Sequence, residues 1–189
     1  MRFIRPSRTQ STAALRGKSL LNALMFFGIF MVALAWLADR LGPQRILLPF
    51  WPRVVAAGLL FSGGLVVWIL CADLFGRSGR GTPLPLDAPR HLVTTGPFAV
   101  IRNPIMAGEM AVLWGIALYL SSLGVLLYAI LFTLAGHLAV VYVEELELHK
   151  RFGEQYEDHR RRVPRWLPRL SLAGKAASGM RSRARADQS

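Results

Sequence analysis

The sequence has one cysteine, about half as many acidic as basic residues, and long stretches with almost no charge at all. Cys71 alone can close no intrachain disulfide and build no cysteine-based metal site, and no metal is expected elsewhere. The acid deficit, 11 Asp and Glu against 23 Lys and Arg, leaves a net charge of +12. No aromatic-interleaved basic fold accompanies the arginines, which argues against nucleic acid as the partner. The charge fits anionic membrane lipid and a topology signal instead. Ser19 to Ala38, Val54 to Leu74 and Ile105 to Val143 are nearly free of charge, which excludes an ordinary soluble domain.

A hydrocarbon core of about 30 Å takes about 20 helical residues to cross. Residues 19–38 and 54–74 supply one span each. The third stretch is roughly twice that length and is interrupted by Leu120-Ser121-Ser122-Leu123-Gly124. It reads as a tight hairpin of two spans, 105–120 and 123–143. The expected fold is an all-α integral membrane protein with four transmembrane helices and a cytoplasmic amphipathic C-terminal helix. Ala33-Leu34-Ala35 imitates a signal-peptide cleavage site, but the apolar run is too long for a typical signal core and is kept as a span.

Charge placement sets the orientation. Of the Lys and Arg residues, 20 fall in the N-terminal arm, the second connection and the C-terminal part, against 3 (Arg40, Arg45 and Arg53) on the other side. The positive-inside rule then places both termini and the 75–104 loop in the cytoplasm, with the bacterial inner membrane as the expected location. Residues 1–18 form a basic arm, 19–168 the membrane domain, and 169–189 a disordered basic tail.

Along the chain, Phe50-Trp51 suits an aromatic anchor in a short outer loop. Ser62-Gly63-Gly64 offers small residues for close helix contact, and Trp68 and Phe75 read as packing or interface residues. The Gly/Pro-rich connection from Gly76 to Thr95 is long enough to be functional or disordered. Within it, Arg90 to Gly96 reads as an extended segment laid over the membrane face. The fourth span runs into a helix over 144–162, with Glu145, Leu148, Phe152, Tyr156 and His159 on one face.

The densest chemistry lies from Gly96 to Glu109. Asn103 is placed as an N-cap and Pro104 as the first helical residue. The helix dipole, free backbone N–H groups and the Arg102 guanidinium together suit an anionic ligand group. The alternative is that Asn-Pro only starts a helix while Arg102 snorkels to headgroups. Glu109 and His137 are ionisable groups at membrane depth. For Glu109 the structural alternative is an ion pair with a loop arginine, and for His137 a hydrogen bond to a helix carbonyl. Two α-helical turns separate His137 from Glu144, so both project from nearly the same face. Glu144 either faces the Arg102-Asn103 corner, where it suits a cationic group, or is solvated and paired with nearby bases.

Two blocks carry a resemblance: Gly96-Pro97-Phe98 with Arg102-Asn103-Pro104-Ile105-Met106-Ala107-Gly108, then Glu144-Glu145, Leu148, Phe152-Gly153, Tyr156 and Arg160-Arg161-Arg162-Val163-Pro164. In order and spacing, over residues 80–168, they resemble the isoprenylcysteine carboxyl methyltransferase-like family of integral membrane methyltransferases. The resemblance implies S-adenosylmethionine as methyl donor at the cytoplasmic face. It implies cofactor contacts at Arg90, His91, Leu92, Val93, Phe98, Asn103, Pro104, Ile105, Met106 and Glu144. Arg102 suits the donor's carboxylate, and Glu144 its ammonium and sulfonium; both are taken as the catalytic pair. In-line methyl transfer depends chiefly on alignment. His137 and His149 are candidate bases.

Departures narrow the reading. Phe98 and Met106 stand where the family usually has tyrosines. Val140 stands where prenylcysteine methyltransferases carry an arginine linked to the substrate carboxylate. Val140 and His137 are therefore read as substrate-side residues for a lipid-soluble or small acceptor. Two rival readings stay open: a nicotinamide-dependent membrane reductase and a non-catalytic small membrane protein.

Overall fold

The computed structural model describes residues 21, 25–74 and 91–168, and every regular element among them is helical. The arm 1–18, Phe75, Arg90 and the tail 169–189 lie outside the described residues. A π-helical stretch Phe27–Ala33 leads into α1, Leu34–Leu41. Next come α2, Phe50–Leu74, a short 3-10 helix Gly96–Ala99, and α3, Pro104–Leu120. α4, Leu123–Ala139, continues through a π-helical turn Val140–Glu144 into α5, Glu145–Phe152, and α6, Glu154–Arg162, follows.

Two described helices, Phe50–Leu74 and the continuous Leu123–Phe152, are long and apolar enough to cross a membrane, with mean hydropathies of 2.4 and 2.1. Only 17% and 22% of their apolar windows are buried, whereas the core helix of a soluble protein would be mostly covered. Leu59, Val66 and Ile69 on α2 and Leu127, Leu131 and Leu134 on α4 instead point outward, as lipid-facing side chains do. α3 is shorter, about 25 Å for its 17 residues, and holds the interior, with Gly108, Val112, Leu113, Gly115 and Ala117 buried.

α2 and α3 pack backbone to backbone. A Cβ on Gly64 would lie 2.5 Å from the Gly108 carbonyl oxygen, and one on Gly108 would lie 2.7 Å from that of Gly64. Backbones at this separation leave no room for any side chain, so only glycine fits. Of the small-residue run expected to make this contact, Gly64 does so, while Gly63 faces open space. Met31 and Ala35 of the first helix complete the core against Val112, Leu113, Val125 and Ala129.

The α3–α4 hairpin turns on Ser121, in the left-handed region at φ 50°, and Ser122. The α1–α2 connection is fastened to this turn by backbone bonds: Ile46 N–H to Ser121 O at 2.8 Å, Leu123 N–H to Gln44 O at 2.9 Å and Gly124 N–H to Gly42 O at 3.0 Å. Arg45 donates twice to Asp39, at 2.6 and 3.2 Å, and Arg53 donates to the Ser121 hydroxyl at 2.7 Å. The cations set apart by the charge count thus gather at the hairpin end.

Three boundaries differ from those read in the sequence. Phe50-Trp51 begins α2 rather than sitting in a loop, because Pro52 falls in the first turn, where no N–H is needed. The first helix runs to Leu41 and stops at Gly42. The single helix expected over 144–162 is broken at Gly153, whose φ of 51° and ψ of −126° favour glycine.

Candidate functional site

The end of the bundle away from the hairpin turn carries Arg102, Asn103, Glu145, Tyr156 and Arg165. Val93, Phe98 and Cys71 form a buried cluster there, packed by Val67, Leu74 and Ile105. This cluster fixes the chain entering α3, and so fixes Arg102 and Asn103 at its N-terminus. The Arg102 guanidinium lies 3.1 Å from Glu145 and 3.5 Å from the Tyr156 hydroxyl, while its backbone N–H donates to Pro164 O at 2.8 Å. Arg165 grips the same Glu145 carboxylate from the other side through two bonds, of 2.6 and 2.9 Å. Burial, then the adjacent Glu145 charge, push the Tyr156 phenol above its ordinary value.

Two donors at this corner have no partner among the described residues: Arg102 Nε and Asn103 Nδ2, both buried. The Asn103 carbonyl accepts from Ala107 N–H at 3.1 Å, but its side chain makes no capping bond. The residue therefore holds the N-cap position without its side chain capping. A buried orphan donor costs about 1–3 kcal/mol, so a pair of them beside a helix N-terminus is suited to an anionic acceptor group.

The carboxylate facing Arg102 belongs to Glu145 and not, as one of the two readings of the sequence had it, to Glu144. The reason is the π turn at Val140–Glu144, which takes up one extra residue and moves every later side chain one position along the helix face. Glu144 is left exposed, close enough to Glu109, Glu145 and Tyr156 to act on them electrostatically.

The other expected residues are distributed as follows. Pro104 is buried; Ile105 joins the Phe98 cluster; Met106 packs at Gly136, where a Cβ would lie 2.8 Å from its sulfur. Val93 and Phe98 are buried, Leu92 is half-buried and His91 is exposed. Val140 is wholly buried. Glu109 is 7% exposed and accepts from the Trp68 indole N–H at 3.2 Å, its partner among the described residues; Arg77, Arg80 and Arg90 of the loop lie outside them. His137 accepts the Trp166 indole N–H at Nδ1, 3.0 Å, and makes no bond to a helix carbonyl among the described residues. His149 is turned away, paired with Glu157 at 2.8 Å. Arg165 and Trp166 were missed in the sequence. They lie past the last helix, and only the Val163-Pro164 turn, which brings them back over α4 and α5, gives them partners.

A helical bundle with outward apolar faces, and a buried Arg102–Glu145–Arg165 cluster at the end away from the hairpin, has the build of a membrane protein. The chain belongs to the phospholipid methyltransferase family, whose model matches residues 52–155. That match bears out the resemblance to the isoprenylcysteine carboxyl methyltransferase-like membrane methyltransferases. The chain is also 30% identical over 150 residues to methanethiol S-methyltransferase 2 of Bradyrhizobium diazoefficiens, an alignment covering 66% of this chain and 56% of that protein. The chain therefore spans little more than half the length of that relative.

Proposed function

We propose that this protein is an S-adenosylmethionine-dependent methyltransferase that binds its donor at the cytoplasmic end of the bundle and methylates a lipid-soluble or small acceptor. The observation that carries the reading is the pair of buried donors with no partner among the described residues, Arg102 Nε and Asn103 Nδ2, at the N-terminus of α3. An amino-acid carboxylate would satisfy the two donors. Glu144 would hold a cation, and the Val93, Phe98 and Ile105 cluster would back an apolar ring. When bound, S-adenosylmethionine supplies a methyl group activated by a sulfonium. Family membership favours this reading over a nicotinamide-dependent reductase.

The same reading takes residues 19–168 as the membrane domain, crossing four times with both termini in the cytoplasm of a bacterial inner membrane. The partners are membrane lipids and the acceptor, without nucleic acid. Val140, apolar and wholly buried, offers no cation to an acceptor carboxylate. This supports an uncharged or weakly polar acceptor over a prenylcysteine, since an unpaired carboxylate in that setting costs several kcal/mol. The relative's name adds support for a small acceptor.

Calorimetry on the purified full chain tests the donor site. The wild type should bind S-adenosylmethionine, and Asn103→Ala and Glu144→Gln should each weaken binding about tenfold, or about 1.4 kcal/mol. A folded wild type that binds no S-adenosylmethionine overturns the proposal.

A further inference from the structure

Ala107 and Met110 of α3 and Thr133, Leu134 and His137 of α4 line a groove of about 400 Å³, with Trp166 at its edge. We infer that this groove is the acceptor site and that it takes a small apolar thiol, held by the Nε2–H of His137. The inference rests on the methyltransferase reading and names the acceptor class for it.

The polar groups of the wall decide the class. The Thr133 hydroxyl donates to Ala129 O at 2.8 Å and accepts from the Trp114 indole at 3.0 Å, so it is committed on both sides. The Trp166 indole N–H is committed to His137 Nδ1 at 3.0 Å. A ring nitrogen that accepts carries no proton, so the imidazole proton resides on Nε2. Nε2–H has no partner among the described residues and is the one uncommitted N–H or O–H of the lining.

An occupant therefore needs an apolar body and one accepting atom. A neutral thiol meets this, its sulfur accepting weakly from Nε2–H without bringing an unpaired charge into the groove. An alkylammonium does not, because the lining contains no carboxylate. The same tautomer makes His137 a donor that positions the acceptor, not a base at Nε2. Trp166 is the positioning residue that sets the tautomer. Leu134, 55% exposed, leaves the groove open toward the lipid-facing surface, the side from which an apolar molecule arrives.

Two probes of matched shape, phenylmethanethiol and benzylamine, test this by calorimetry on the full chain in lipid nanodiscs without methyl donor. The thiol should bind at least tenfold tighter than the amine. Ala107→Leu, which fills the groove, and His137→Leu should each weaken thiol binding at least tenfold. His137→Gln, which keeps an N–H at similar reach, should stay within threefold of wild type. Leu134→Phe, at the exposed rim, gives a second blocking variant that leaves the core untouched and should also weaken the thiol. Equal binding of thiol and amine, or undiminished thiol binding in Ala107→Leu and Leu134→Phe, would overturn the assignment. S-adenosylmethionine binding is measured on the same samples and should stay within twofold in Ala107→Leu. Thiol binding without donor binding would sink the methyltransferase reading and leave the groove; donor binding without thiol binding would do the reverse.

Discussion

The Arg102 guanidinium lies 3.1 Å from the Glu145 carboxylate, and Arg165 holds the opposite side of that carboxylate at 2.6 Å. This triad ties three separate pieces of chain together: the approach to α3, the start of α5 and the segment after α6. Arg102 and Glu145 are about nine-tenths buried, with side chains 10% and 8% exposed. Removing one partner of a buried pair leaves a charge uncompensated and costs about 3–5 kcal/mol. Glu145→Gln should therefore lower unfolding stability by roughly that amount. Glu144→Gln, at an exposed site, should leave it within about 0.5 kcal/mol. Denaturant unfolding of the two variants in one detergent decides the matter; equal effects would contradict the register described.

The α2–α3 crossing predicts opposite outcomes at adjacent glycines. Gly64→Ala puts a methyl 2.5 Å from the Gly108 carbonyl oxygen and should cost about 1–3 kcal/mol. Gly63→Ala meets nothing within 4 Å and should be neutral, or stabilising by up to about 1 kcal/mol through helix propensity. Thermal melts of the two variants measure the contrast.

The π turn predicts where a deletion is tolerated. Removing Tyr142, 67% exposed, takes out the extra residue and restores α geometry with Glu145 still facing Arg102. Its melting temperature should stay within about 4 °C of wild type, the scale of a 1 kcal/mol change. Removing Leu131, 64% exposed, instead rotates the rest of α4 within the bundle and should abolish cooperative melting.

His159 predicts a pH dependence. Burial, then the Arg102 and Arg162 guanidiniums, hold its pKa below the ordinary 6.5. Below pH 6.5 the unfolded chain takes up a proton that the folded chain resists. Stability is therefore full above that pH and falls as the medium becomes more acid, by at most about 1.4 kcal/mol per unit for this group. His159→Gln should flatten the unfolding profile between pH 7 and 5, and an unchanged slope would show that another group controls it.

The topology is checked with single cysteines in a Cys71→Ser background. Leu47 is 96% exposed near the hairpin end, and Leu167 is 80% exposed at the end bearing Arg102. An impermeant thiol reagent should label Leu47→Cys from outside the cell and Leu167→Cys only after the membrane is opened. Labelling in the reverse pattern would contradict cytoplasmic termini.

The sequence alone determined the helical class, the hairpin at Ser121-Ser122, the bounds of α3 and the buried face of Glu145, Tyr156 and His159. Each of these rests on a local property: a run of apolar residues, a turn, an Asn-Pro start, a spacing of three and four. Resemblance carried the two blocks as far as the methyltransferase family. The partners were decided by tertiary structure. The π turn between His137 and Glu145 has no sequence marker of the kind Gly153 supplies, yet it exchanges the roles of two adjacent glutamates. Trp68 reaches Glu109 across 41 residues of chain, and Trp166 reaches His137 across 29. Periodicity says which face a side chain occupies; only the packed bundle says what lies opposite it.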